Sequence, residues 1–326
     1  MTTRRRMLAA LGAGALAAPI MASAQQQKLY RIGFVGADYA TEPQKGDVFV
    51  LELAKQGFVV GANLAIESRG LQKDGLDGVA GALAALKVDV IYAAGTEAAL
   101  AAKRATSSIP IVFMSADPVG FGLVASLARP GGNLTGVSIQ GPSITSKEME
   151  AMLAALGTLR SLAYIYPIGA RSLPWYSSYV SAATSAARTL GVQIEFHEVA
   201  GFAAYESLIQ DLARRKIEAA ELMPGTAAFT LTNLEYEQIA TLFLRSRLPA
   251  IGPARLGFLL HCEFAEDVLT QRIGYFVARI LHGAKPAELP VEEFSTLRLI
   301  LNARTARALG ITLPRSLLIR AEEVIQ

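Results

Sequence analysis

Short β-branched runs alternate with longer alanine-rich stretches whose apolar residues recur at helical spacing. The first such series pairs strand candidates at Tyr30–Val35, Leu64–Ser68, Val88–Ala94 and Ile109–Met114 with helix candidates at 48–57, 76–86 and 97–106. Val88–Ala94 is almost continuously apolar, as expected of a parallel strand buried on both faces. The series restarts with strands at 162–166, 192–197, 219–223 and 249–252 and helices at 175–190, 205–216 and 234–247. Strand–helix alternation predicts an α/β fold, here two Rossmann-like lobes with parallel sheets.

Arg129-Pro130-Gly131-Gly132-Asn133 forms a turn cluster between the two series, followed by a strand at 135–139. Gly141-Pro142-Ser143 reads as a hinge that opens a helix. The tail is less regular. It predicts a helix at 267–281, a turn-rich link with Pro286 and Pro290, a strand at 297–301 and a helix at 303–309 capped by Asn302.

The amino terminus follows another pattern. Arg4-Arg5-Arg6-Met7-Leu8 precedes a short apolar run, and Ala22-Ser23-Ala24 closes it. A charged region, an apolar core and an A-x-A site mark residues 1–24 as a secretory signal. The arginine pair fits the twin-arginine route, with an ordinary Sec signal carrying a chance arginine pair as the alternative. The apolar run is shorter than the roughly 20 residues that span a bilayer. The expected location is therefore periplasmic, with no membrane insertion of the mature chain.

Charge then loses its interest. The chain carries 31 basic and 28 acidic residues. Removing Arg4, Arg5 and Arg6 balances the signs, so nothing argues for nucleic acid as a partner. Cys262, the sole cysteine, has no internal disulfide partner and reads as a small buried residue.

No dinucleotide fingerprint, Walker motif, zinc-protease motif or nucleophile elbow is present. His197, His261 and His282 lie far apart in sequence, and no metal or organic cofactor is implied. His261-Cys262-Glu263 is compatible with a thiol–imidazole pair, but adjacent strand residues point to opposite faces. No catalytic residue is assigned.

The remaining candidates follow predicted strand ends, where open parallel sheets bind ligands and helix N-termini present N–H groups. They are Asp38, Tyr39, Thr96, Glu97 and Asp117 in the first series, and Tyr166, Thr226 and Arg255 in the second. Thr96 either caps its helix or joins the following amides in holding an anion. Asp117 either accepts an ammonium or forms a turn. Tyr39 and Tyr166 offer flat faces, and Arg255 offers a charge to a carboxylate.

These residues lie within stretches that resemble a known family. YRIGF at 30–34, KVDVI at 87–91, AGTEAALAAK at 94–103 and IPIVF at 109–113 are similar to it. So are the long run DPVGFGLVASLARPGGNLTG at 117–136, LHGAKPAELPVE at 281–292 and the segment from Asn302 to Ile325. The chain resembles the ABC-transporter substrate-binding proteins that include tryptophan- and tyrosine-associated members.

The resemblance implies a type I periplasmic-binding-protein clamshell with three crossovers. Residues 28–139 with about 264–293 would form lobe 1, and 140–263 with about 294–326 lobe 2. It implies a small-molecule ligand, an amino acid or a relative, and an ABC permease in the inner membrane as partner. A ligand-sensing subunit for a membrane receptor is the alternative, and an exported α/β enzyme a weaker one. Three departures fall at expected cleft or hinge positions. Glu97 stands where the family commonly has Pro, Tyr166-Pro167 where it has Trp-Asn, and Phe258–Glu263 where it has a Met-Ser-Tyr-Gly segment.

Overall fold

A computed structural model describes residues 28–36, 47–68, 75–139, 141–172, 176–223 and 231–326. The first series builds β1 (Tyr30–Val35), α1 (Val48–Lys55), β2 (Leu64–Ser68), α2 (Gly75–Ala85), β3 (Val90–Ala94), α3 (Thr96–Ala105), β4 (Ile111–Ser115) and β5 (Leu134–Ile139). The second builds α4 (Gly141–Leu156), β6 (Ser161–Pro167), α5 (Tyr176–Leu190), β7 (Gln193–Val199), α6 (Ala204–Arg214), β8 (Ala219–Leu222), α7 (Asn233–Arg245) and β9 (Ala250–Ile251). The tail adds β10 (Leu260–Phe264), α8 (Glu266–Leu281), β11 (Glu292–Phe294), β12 (Leu297–Asn302), α9 (Ala303–Leu309), α10 (Arg315–Arg320) and β13 (Ala321–Ile325).

Two sheets result. The first has the order β11-β5-β4-β3-β1-β2 with every pairing parallel. The second has the order β13-β12-β10-β9-β8-β6-β7 and is parallel except where β12 runs against β10. The chain passes between the sheets three times: from β5 into α4, from β10 into α8, and from β11 into β12. At the last two passages the Ala265 N–H donates to the Thr296 carbonyl (3.1 Å), and the Phe264 and Phe294 rings meet at 6.1 Å.

Burial on both faces explains the apolar strands. On β3, Val90 and Tyr92 face α1 and α8, while Ile91 and Ala93 face α2 and α3. On β6, Leu162, Tyr164 and Tyr166 face α4 and α5, while Ala163 and Ile165 face α6 and α7. Each fully buried large aliphatic side chain contributes about 1.5–3 kcal/mol.

Asn302 caps α9 as the sequence suggests. Its Oδ1 accepts from the Thr305 N–H (2.9 Å), and its Nδ2 donates to the Ala254 carbonyl (2.9 Å). Both bonds are buried and tie the tail to the β9–β10 connection. Asn302→Ala should therefore destabilise the protein by about 2 kcal/mol in urea unfolding. An unchanged midpoint would show that the tail is held by packing alone.

Candidate functional site

Strand order fixes where each sheet opens. In the first, β1 leads to β2 on one side and β3 lies on the other; in the second, β6 leads to β7 and β8 lies on the other side. A crevice forms at such reversals, beyond the carboxyl ends of the strands. The two crevices are therefore bounded by the ends of β1 and β3 in lobe 1 and of β6 and β8 in lobe 2.

Thr96 borders the first crevice. The cap of α3 is Gly95 at φ 105°, with no side-chain capping bond. Thr96 is thus the first helical residue rather than the cap, which corrects that reading. Only glycine adopts this backbone conformation without strain, and it brings the chain sharply from strand into helix. Thr96 is buried, with its hydroxyl 2.9 Å from that of Ser115 at the end of β4. Ser115 in turn donates to the Ala116 carbonyl. A helix start without a side-chain acceptor, flanked by two hydroxyls, has the chemistry of an anion receptor. Ser115 is the member that attention to Asp117 obscures. Glu97 follows on the first turn of α3 and is partly buried.

Asp117 lies one strand farther out and is exposed, with φ 46°. Its carboxylate accepts from the Gly120 N–H (2.9 Å). That is the turn-forming role, and a Cβ on Gly120 would collide with this carboxylate.

Tyr166 borders the second crevice but offers no open face. It is 1% exposed, accepts from Arg171 Nη2 at 2.7 Å, and meets the Tyr176 ring edge-on at 5.2 Å. Burial, then the hydrogen bond to Tyr166, pushes the Tyr176 hydroxyl up to about 12. Arg171 is largely exposed and lies 3.8 Å from Glu198. The exposed group here is thus the guanidinium that Tyr166 orients.

Arg255 is not a free cation. It donates to both oxygens of Glu263 (2.8 and 3.1 Å) and, through two nitrogens, to Glu323 (2.7 and 3.0 Å). These carboxylates, Glu263 first, hold its charge firmly. They belong to β10 and β13, on the far side of β9 from the β6/β8 reversal. Asp38, Tyr39 and Thr226 lie outside the described residues.

The thiol–imidazole reading fails on geometry. His261 Nδ1 and the Cys262 backbone N–H both meet Glu148 Oε1, at 3.0 and 2.7 Å. The Cys262 side chain is buried, and burial pushes its thiol up, away from the reactive thiolate. His197 pairs with Glu195 (2.7 Å), and His282 lies against the Gln56 carbonyl and the Phe58 ring. Among the described residues, no group of three or more His, Cys, Asp or Glu could hold a metal. No helix there is long and apolar enough to cross a membrane.

Two α/β lobes, three chain passages and paired crevices define the fold of the type I periplasmic binding proteins. The chain belongs to the ABC transporter substrate binding protein family, whose model matches residues 53–210 and 257–325. A tyrosine-binding protein of Clostridioides difficile is 40% identical over 93 residues, which are 28% of this chain and 27% of that relative. The match thus spans about a quarter of the relative's length.

Solved structures agree on the fold. A Streptococcus ABC domain in complex with L-Trp superposes with a TM-score of 0.74 at 24% identity, covering 91% of this chain and 100% of the other. A conserved domain protein of Vibrio cholerae gives 0.74 at 24%, covering 91% and 99%. A ligand-free, open substrate-binding protein of Clostridium difficile gives 0.69 at 22%, covering 92% and 99%.

Proposed function

We propose that the protein is the exported solute receptor of an ABC importer and closes on an amino acid or a close relative between its lobes. The observation that carries this is the pairing of two topological reversals, one in each sheet, with three chain passages between them. Lobe 1 then comprises residues 28–139 and about 264–293, and lobe 2 residues 140–263 and about 294–326. The sheet to which each strand belongs supports that division. The tyrosine-binding relative and the L-Trp complex support the ligand class.

The ligand carboxylate is placed at the start of α3, against Thr96 and Ser115. Lobe 2 contributes the end of β6, where Tyr166 holds Arg171. Asp38, Tyr39, Asp117 and Thr226 are further candidate ligand contacts by their place after strands in the sequence, and Glu97 biases the site toward ligands that also carry a positive group. Ligand touching both lobes shifts the open–closed equilibrium. The closed surface is then presented to the permease in the inner membrane.

Mass spectrometry of small molecules released from the denatured, freshly purified protein tests the ligand class. An amino acid or derivative at near-equal stoichiometry is expected. Release of a sugar or a nucleotide instead would refute that class.

Export is tested separately. Arg4→Lys with Arg5→Lys should block processing of residues 1–24 and leave the precursor in the cytoplasm. Normal processing of the double variant would exclude the twin-arginine route.

A further inference from the structure

Beneath the crevice of lobe 2 lie two acids for which ligand binding gives no reason. Glu221, on β8, is 0% exposed, and neither carboxylate oxygen has a hydrogen-bond partner among the described residues. In register it sits beside Tyr164 of β6 and Ile251 of β9. Glu148, on α4, is 1% exposed; its Oε1 serves His261 and Cys262, while its Oε2 has no partner. Glu148 thereby joins α4 and β10, the elements that follow the first passage and precede the second.

Among the described residues, no cation reaches Glu221 from the elements packed on this face. Strand β6 presents Tyr164, whose hydroxyl lies 3.3 Å from that of Thr145 on α4. Helix α4 also brings Glu148, and α5 brings Tyr179. Strand β10 brings Cys262, with His261 beyond Glu148. Lys147 and Arg320 line a surface hollow beside Cys262. An ionised carboxylate in such a place, with no partner, costs more than a folded domain can spare.

We propose that Glu221 stays neutral in the fold, and that loss of its proton loosens the α4–β10 junction, which Glu148 holds, at alkaline pH. A charge on Glu221 would disturb the Glu148 bonds to His261 and Cys262 and so free the two passage elements from each other. Burial raises the Glu221 carboxyl well above the ordinary range, Glu148 adds to the rise, and the nearby Thr145 hydroxyl opposes it.

The sign follows directly. The unfolded chain loses the Glu221 proton near the ordinary value of 4.5, while the folded protein keeps it to much higher pH. Stability from this group is therefore complete below that value and declines as pH rises toward the folded one.

Urea unfolding of the full chain from about pH 5 to 9 reads this, comparing wild type with Glu221→Gln. The wild-type folding constant should fall about tenfold per pH unit relative to the variant. Glu221→Met, apolar and of similar length, should flatten the profile equally and serves if the glutamine variant fails to fold. Infrared spectroscopy of the wild type at neutral pH should show the carbonyl band of a buried protonated carboxylic acid. Parallel pH profiles in wild type and variant, or absence of that band, would overturn the proposal.

Discussion

Gly136→Ala is expected to destabilise the protein by about 3–5 kcal/mol, a large share of the 5–15 typical of a domain. Gly136 lies within β5, paired with Phe113 of β4, at φ 151°. A Cβ there would strike the Phe113 carbonyl oxygen and lie 2.6 Å from its backbone nitrogen. The obstacle is the backbone of a central strand, fixed by pairing on both sides, so no rotamer change relieves it. The shift would propagate along β4 to Ser115 and along β5 to the first passage between lobes. Gly81→Ala is the control: its Cβ meets nothing within 4 Å and it lies inside α2. That change should stabilise by about 0.5–1 kcal/mol. Wild-type stability of Gly136→Ala in urea would show that the β4–β5 register is not the one described.

Thr96→Val should weaken ligand binding about 10–100-fold while leaving the fold intact. Valine keeps the shape and removes the hydroxyl, which otherwise bonds the Ser115 hydroxyl or a ligand carboxylate. A hydrogen bond to a charged group contributes about 1.5–3 kcal/mol. Isothermal titration with L-tyrosine or L-tryptophan measures the change. Ser115→Ala should act in the same direction. Asp117→Ala should act less, because that carboxylate serves its own turn. Wild-type affinity in Thr96→Val would move the ligand carboxylate away from the start of α3.

The fold is legible where strands are buried on both faces, since residues 90–93 and 162–166 are then unbroken buried runs with helical patterns between them. The tail is harder to read. Glu292–Phe294 is too short to show a period, and Ala321–Ile325 is an edge strand whose Glu322 and Glu323 break the apolar run. The α10 segment Arg315–Arg320 is hardly more than one turn.

The site is less legible than the fold, for a physical reason. A strand end marks a crevice only where the strand order reverses, and strand order depends on pairings between distant segments. Thr96 and Tyr166 stand at reversals, whereas Arg255 follows a strand that does not. Its carboxylates, Glu263 and Glu323, are 8 and 68 residues away. The same holds for Glu148, whose bonds to His261 and Cys262 span 113 and 114 residues. Helical periodicity places Glu148 on α4, but only the fold turns it toward β10.

A crystal structure of the protein with its co-purified ligand, or with L-tyrosine or L-tryptophan, tests whether one small ligand is held between the lobes. Ligand density is expected between the ends of β1 and β3 and those of β6 and β8, with a carboxylate at the start of α3 and the lobes closed around it. Ligand bound on the outer surface of one lobe, with the crevice empty and open, would contradict it.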